Sequence, residues 1–78
     1  MNQRPAVADA KRLFGLRLRE LRLARGLSQE KLAWQAGLDR TFISSCERGQ
    51  RNISLENIYR LATALDVEPI ELLRPPST

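Results

Sequence analysis

Histidine is missing from this chain of 78 residues, cysteine occurs once, and lysine supplies only two of the thirteen basic groups. Without an imidazole there is no ready general base and no histidine ligand, and one thiol can neither close an internal disulfide nor build a cysteine metal cluster. No glycine-rich phosphate loop is present either. The expectation is a protein that is not an enzyme and holds no cofactor and no metal. No apolar run approaches the roughly 18 residues that a membrane-spanning helix needs. The opening stretch, "MNQRPAVADAKR", has no apolar segment of the secretory kind, so a cytoplasmic location is expected. No segment alternates apolar and polar residues over the length of a strand, and there is no internal repeat.

What remains is a chain rich in arginine. Thirteen basic residues against nine acidic ones leave a net charge of +4, and eleven of the thirteen are arginine. The planar guanidinium fork makes two-point contacts with phosphates and guanine edges, which the compact lysine ammonium does less well. Residues 1–25 carry seven basic and two acidic groups, whereas residues 53–78 carry two basic and four acidic ones. A basic front and an acidic rear suggest an oriented encounter with a polyanion; arginines that merely solvate helix surfaces are the bland alternative. The length suits one small domain.

Helical periodicity runs throughout. From Asp9 to about Arg25, Phe14, Leu18 and Leu21 form the i, i+4, i+7 stripe of an amphipathic helix, and Gly26 ends it. Ser28 is a good N-cap for a second helix with Glu30 in its first turn and Leu32, Ala33 and Ala36 facing inward, closed by Gly37. Asp39 then caps a third helix running to Arg48, with Leu38, Ile43 and Cys46 as its core side and Gly49 as its stop. Ser54 caps a fourth, whose stripe is Leu55, Ile58, Leu61, Ala62 and Leu65. Pro69 fits the first turn of a short fifth helix over "EPIELL". The expectation is an all-α, five-helix domain over residues 9–74, with a flexible arm at 1–8 and a disordered tail at 75–78.

Two short helices joined across Gly37 have the arrangement of a helix-turn-helix, in which the second helix can lie in a DNA major groove while the first braces against the backbone. The third helix is expected to expose Arg40, Thr41, Ser44 and Ser45, groups that bond to bases and phosphates. Residues 16–73, "LRLRELRLARGLSQEKLAWQAGLDRTFISSCERGQRNISLENIYRLATALDVEPIELL", resemble the lambda-repressor-like, Cro/C1-type (XRE) helix-turn-helix family of transcription regulators. The pieces "RGLSQEKLA", "AGLDRTFIS", "ERGQRN" and "LATALDV" carry the likeness in that order. Within the family, "LDRTFIS…ERGQRN" is similar to the small controller proteins of restriction-modification systems, which are dimeric autoregulators.

The resemblance implies a role for each matching position. Gln29 corresponds to a glutamine that contacts a DNA phosphate, with first-turn filler as the alternative. Arg40, Thr41, Ser44 and Ser45 correspond to positions that meet base edges, although Arg40 could equally clamp a phosphate. Phe42 stands where relatives often carry tyrosine, and either touches the DNA backbone or fills the core. Arg48, Arg51 and Asn52 match a loop that contacts phosphates and sets register. Arg22 and Glu47 match a structural salt bridge between the first and third helices. Trp34 departs from the polar residue usual at its place, and either lies near the DNA backbone or covers the core.

One short recognition helix cannot supply the roughly 4–10 kcal/mol that separates specific from non-specific binding, so a homodimer is expected, with half-sites about 34–36 Å apart. The apolar residues near the end of the chain, Tyr59, Leu65, Val67, Ile70, Leu72 and Leu73, are the expected dimer patch, although the monomer core claims some of them; Leu16 and Leu23 form a second candidate patch. Cys46 follows Ile43 by three residues, which places it inward as a structural thiol, while nearby arginines leave a redox role as the other option. The expected partners are double-stranded DNA, a second copy of the chain and, through the block or recruitment of transcription, RNA polymerase. The alternative reading is an antitoxin-like module that uses the same fold to mask a partner protein.

Overall fold

The structure, a computed structural model, describes residues 7–77. Residues 1–6 of the expected arm and residue 78 of the expected tail lie outside the described residues. A short 3-10 turn over Val7–Asp9 leads into α1 (Ala10–Ala24), followed by α2 (Gln29–Ala36), α3 (Arg40–Glu47), α4 (Leu55–Leu65) and α5 (Pro69–Leu72). No strand occurs among the described residues. The fold is the five-helix one that the periodicity implied.

The starts of α2 and α4 follow one local rule. Ser28 Oγ accepts the N–H of Lys31 at 2.9 Å, and Ser54 Oγ accepts the N–H of Asn57 at 3.1 Å, each satisfying a donor that the helix itself leaves free. Asp39 takes the extended backbone of an N-cap before α3, but its side chain makes no capping bond. Ahead of the three caps stand Leu27, Leu38 and Ile53, all packed on the core, and four positions into each helix follow the buried Leu32, Ile43 and Ile58. That spacing is the hydrophobic staple, which sets the angle at which the chain enters a helix. It also accounts for Leu55, expected in the core stripe of α4 but 73% exposed: Ile53 fills that end of the core instead.

The turn between α2 and α3 is a Schellman stop. Leu38 N–H donates to the Ala33 carbonyl at 2.8 Å and Gly37 N–H to that of Trp34 at 3.3 Å, while Gly37 takes the left-handed φ of 71° that a side chain would resist. Asp66 makes the same stop after α4 with φ 58°, the one non-glycine residue at positive φ among those described.

Leu18, Leu32, Ile43, Cys46, Leu61, Leu65 and Leu72 are completely or almost completely buried and, with Ala33, Ala36, Ile58 and Ala62, form a single core. Phe14, Leu21 and Leu38 pack at its edge rather than within it. Leu65 and Leu72 therefore leave the expected dimer patch, because α5 folds back on α4 and buries Leu65 of α4 and its own Leu72. Within the patch, Tyr59, Ile70 and Leu73 stay exposed and Val67 is half-buried.

Helix α3 is wedged between α1 and α2, and α1 comes very close to it. A Cβ added to Gly15 would lie 2.7 Å from the Glu47 carbonyl oxygen and closer still to that of Cys46, so only glycine permits this approach. At the far side of α1, Arg17 donates through Nε to the Glu71 carbonyl at 2.7 Å, through Nη2 to its carboxylate at 3.0 Å and through Nη1 to Glu20 at 2.8 Å. Glu20 in turn accepts the backbone N–H of Ser77 at 2.9 and 3.2 Å. Pro75 lines one recess together with Phe14, and Pro76 lines another together with Leu16 and Leu23. The segment expected as a frayed tail is thus drawn against α1 as far as Ser77, by a carboxylate that no sequence pattern had marked.

Candidate nucleic-acid interface

The orientation of α3 is fixed by one buried ion pair. Arg22 donates from Nε to Glu47 Oε2 at 2.6 Å and from Nη2 to Oε1 at 3.0 Å, a two-point contact, and its Nη1 reaches the Leu27 carbonyl at 2.8 Å. The two side chains are 9% and 4% exposed. Burying both charges has a large desolvation cost, offset here because the guanidinium spends all three of its nitrogens and the carboxylate gains a further donor. That donor is Gln29, whose Nε2 lies 3.0 Å from Glu47 Oε1. The side chain expected on a phosphate is therefore engaged inside the fold, leaving the N-terminal backbone of α2 as the group that could meet an anion there.

With α3 so anchored, Ile43 and Cys46 face the core. Burial is the main force on the Cys46 thiol, pushing its pKa up to about 11 despite the nearby Arg51 charge, so it stays protonated at neutral pH and is a structural residue. Arg40 and Thr41 stand exposed at the leading end. Ser44, one turn on, is half-buried and accepts from Arg48 Nη1, while Arg48 Nη2 lies 3.3 Å from Gln50 Oε1. Arg40, Ser44 and Arg48 thus share one row along the helix, spaced by four.

Ser45 does not belong to that row. It is 6% exposed, donates its hydroxyl to the Phe42 carbonyl at 3.1 Å and accepts Arg51 Nε at 2.9 Å. The expectation that it faces outward is corrected: α3 is covered by α1 and α2 and followed by a loop that folds back on it, so most of its circumference is occupied. Phe42 is half-buried against the core, and the Arg51 guanidinium carbon lies 5.3 Å from its ring centre. Asn52 is exposed. Trp34 is 75% exposed on the outside of α2 with Lys31 Nζ 5.2 Å from its ring, so it does not cover the core.

The charge pattern differs from a basic front. In α1, Arg17 is tied to Glu20 and Glu71, Arg22 to Glu47, Arg12 to Asp9 at 3.7 Å, and Arg25, after the helix end, to Asp66 at 3.6 Å. Arg60 and Arg74 likewise meet Glu56 and Glu71. Among the described residues, the arginines without a carboxylate partner are Arg19, Arg40, Arg48 and Arg51, and the last three surround α3. Position within the fold, rather than the number of basic residues per segment, picks out this group.

Comparison with known proteins bears on the same region. The helix-turn-helix family model HTH_3 matches residues 18–72, which spans every helix from the middle of α1 to the end of α5. Over 62 residues, 78% of this chain and 76% of the other, the sequence is 52% identical to the control protein C.BamHI of Bacillus amyloliquefaciens. The crystal structure of the restriction-modification controller protein C.AhdI from Aeromonas hydrophila is 65% identical and superposes with a TM-score of 0.78, covering 83% of this chain and 97% of that one. The crystal structure of a hypothetical transcription factor, NHTF, from Neisseria is 42% identical with a TM-score of 0.84, over 97% and 87% of the two chains.

Proposed function

The chain belongs to the HTH_3 helix-turn-helix family, and from that membership we propose that it is a sequence-specific DNA-binding transcription regulator which acts as a homodimer on a two-fold-symmetric operator. The observation that carries the reading is the gathering of Arg40, Arg48 and Arg51 around α3 with no carboxylate partner among the described residues. Three uncompensated guanidinium groups beside a helix whose leading end exposes Arg40 and Thr41 suit a polyanion with a groove wide enough to admit that helix.

In this scheme α3 enters the major groove. Arg40 places its fork on the O6 and N7 of a guanine, worth about 1–3 kcal/mol of discrimination, with Thr41 and Ser44 beside it on neighbouring base edges. Arg48, Arg51 and Asn52 hold phosphates on one flank and the N-terminus of α2 at Gln29 holds one on the other, so that register is set from both sides. Phe42 serves from the helix without leaving the core edge.

Eight residues of α3 span roughly 12 Å at 1.5 Å per residue, which reaches only a few base pairs. Two copies are needed for specificity, and the exposed Tyr59, Ile70 and Leu73, with Val67 at their margin, are the surface through which they would pair. Residues 9–74 act as one DNA-binding and dimerisation domain in this account, in the cytoplasm, meeting RNA polymerase at the promoter it blocks or serves. Similarity to C.BamHI and C.AhdI supports the narrower role of controller in a restriction-modification system. Selection of random duplexes on the purified protein should enrich a two-fold-symmetric site whose affinity falls steeply with salt. Failure to enrich any site would remove the regulator reading.

A further inference from the structure

Arg51 is held from two sides by a single turn of α3. Its Nε donates to Ser45 Oγ at 2.9 Å, and its guanidinium carbon lies 5.3 Å from the centre of the Phe42 ring. The Ser45 hydroxyl has one hydrogen to give, and that hydrogen goes to the Phe42 carbonyl at 3.1 Å. Its remaining lone pairs are thereby left to receive Arg51, and at 6% exposure they are shielded from competing water. Arg51 itself is exposed, and among the described residues its Nη1 and Nη2 groups meet no acceptor. Those two nitrogens form the edge with which a guanidinium makes a two-point contact to a phosphate.

We propose that Ser45 and Phe42 are positioning residues that hold Arg51 as a pre-set, two-pronged donor for a DNA phosphate. The inference rests on the DNA-binding reading above and adds to it how one of its contacts is prepared. A long side chain on a loop ordinarily loses rotamer freedom when it grips a ligand, which weakens the grip. Here the hydrogen bond and the ring face impose that order before DNA arrives. The phosphate, rather than a base, is the ligand because Arg51 lies in the loop beyond α3, away from the leading end that reaches into the groove.

A double-mutant cycle tests this, with the duplex enriched from a random library as the probe and circular dichroism confirming the fold of every variant. Ser45→Ala keeps a good helix former at the position, so α3 should persist. It should weaken binding by about three- to tenfold, the range expected for releasing one ordered side chain. Phe42→Leu, which keeps an apolar contact with the core and removes the ring face, should act in the same direction. In an Arg51→Ala background, neither change should cost further affinity, whereas a general loosening of the fold would cost as much there as in the wild type. Losses that persist undiminished without Arg51, or a Ser45→Ala variant that binds as tightly as the wild type, would overturn the positioning role while leaving DNA binding intact. If the wild-type protein enriches no duplex, the DNA-binding reading falls and this inference with it.

Discussion

On and just after α1, Arg17 lies between Glu20 and Glu71, Arg22 grips Glu47, and Arg25 reaches Asp66; on α3 and the loop behind it, Arg40, Arg48 and Arg51 meet no carboxylate among the described residues. The two groups use one side chain for opposite ends. In the first, charge is neutralised inside the protein and the guanidinium fork is a clamp between helices. In the second, charge is left for something outside the chain to neutralise. Net charge alone cannot separate these uses, since it counts both alike.

The largest effect should come from removing a clamp. Arg22→Ala leaves Glu47 buried with Gln29 as its remaining side-chain donor, and losing one partner of a buried pair costs about 3–5 kcal/mol. That is a large part of the total stability expected of a small domain, so the urea midpoint should fall sharply. Replacing both partners together, Arg22→Met with Glu47→Leu, should recover much of the loss; an Arg22→Ala protein with an unchanged midpoint would mean that the pair is not a clamp.

Next comes the fit between α1 and α3. Gly15→Ala gains up to about 1 kcal/mol in helix propensity, yet its Cβ would sit 2.7 Å from the Glu47 carbonyl. Overpacking against backbone costs about 1–3 kcal/mol, so the clash should win and the melting temperature should drop by several degrees. A rise in melting temperature would show that α1 can move away from α3 at no cost.

Replacement in the second group should leave stability alone and change recognition. Arg40→Ala is expected to lose about 1–3 kcal/mol of preference at one base of each half-site, measured as the ratio of affinities for the enriched duplex and a duplex changed at that base. An equal loss on both duplexes would reassign Arg40 to a phosphate.

These contrasts show how much of the fold and of its interface is legible in the sequence. Ser28, Gly37 and Ser54 announce helix ends through local chemistry, and the structure uses each as expected. The residues that escaped are those whose surroundings come from distant parts of the chain. Ser45 looks outward when Ile43 and Cys46 define the inner face of α3, and two positions cannot say how wide that face is. Leu65 belonged both to a core stripe and to an apolar terminal cluster, and only the return of α5 over α4 decides between them. Gly15 reads as an unfavourable residue within a helix until the opposing carbonyls of Cys46 and Glu47 are in place. For the phosphate- and base-facing roles, the sequence offered residue types and a family likeness; the fold adds which arginines are already engaged.

The smallest effect concerns the anchored chain end. Glu20 has its pKa lowered from 4.5, chiefly by its hydrogen bond from Arg17 and then by those from Ser77. A carboxylate depressed in the folded state contributes stability above its unfolded pKa and loses it as the pH falls through the folded value, so the contact should persist at neutral pH and release only below about 4.5. The Ser77 amide should exchange with solvent faster below that pH than extrapolation from neutral pH predicts. No change in its protection across the range would show that Glu20 does not hold the segment.

The central claim, that pairing within the fold separates structural arginines from DNA-facing ones, is tested most directly by the salt dependence of DNA binding in two matched variants. Arg25 and Arg51 are both exposed arginines, but Arg25 is engaged with Asp66. Arg51→Ala should reduce the slope of log affinity against log salt by about one, as expected for one lost phosphate contact. Arg25→Ala should leave that slope unchanged, and a flattening as large as that of Arg51→Ala would contradict the account.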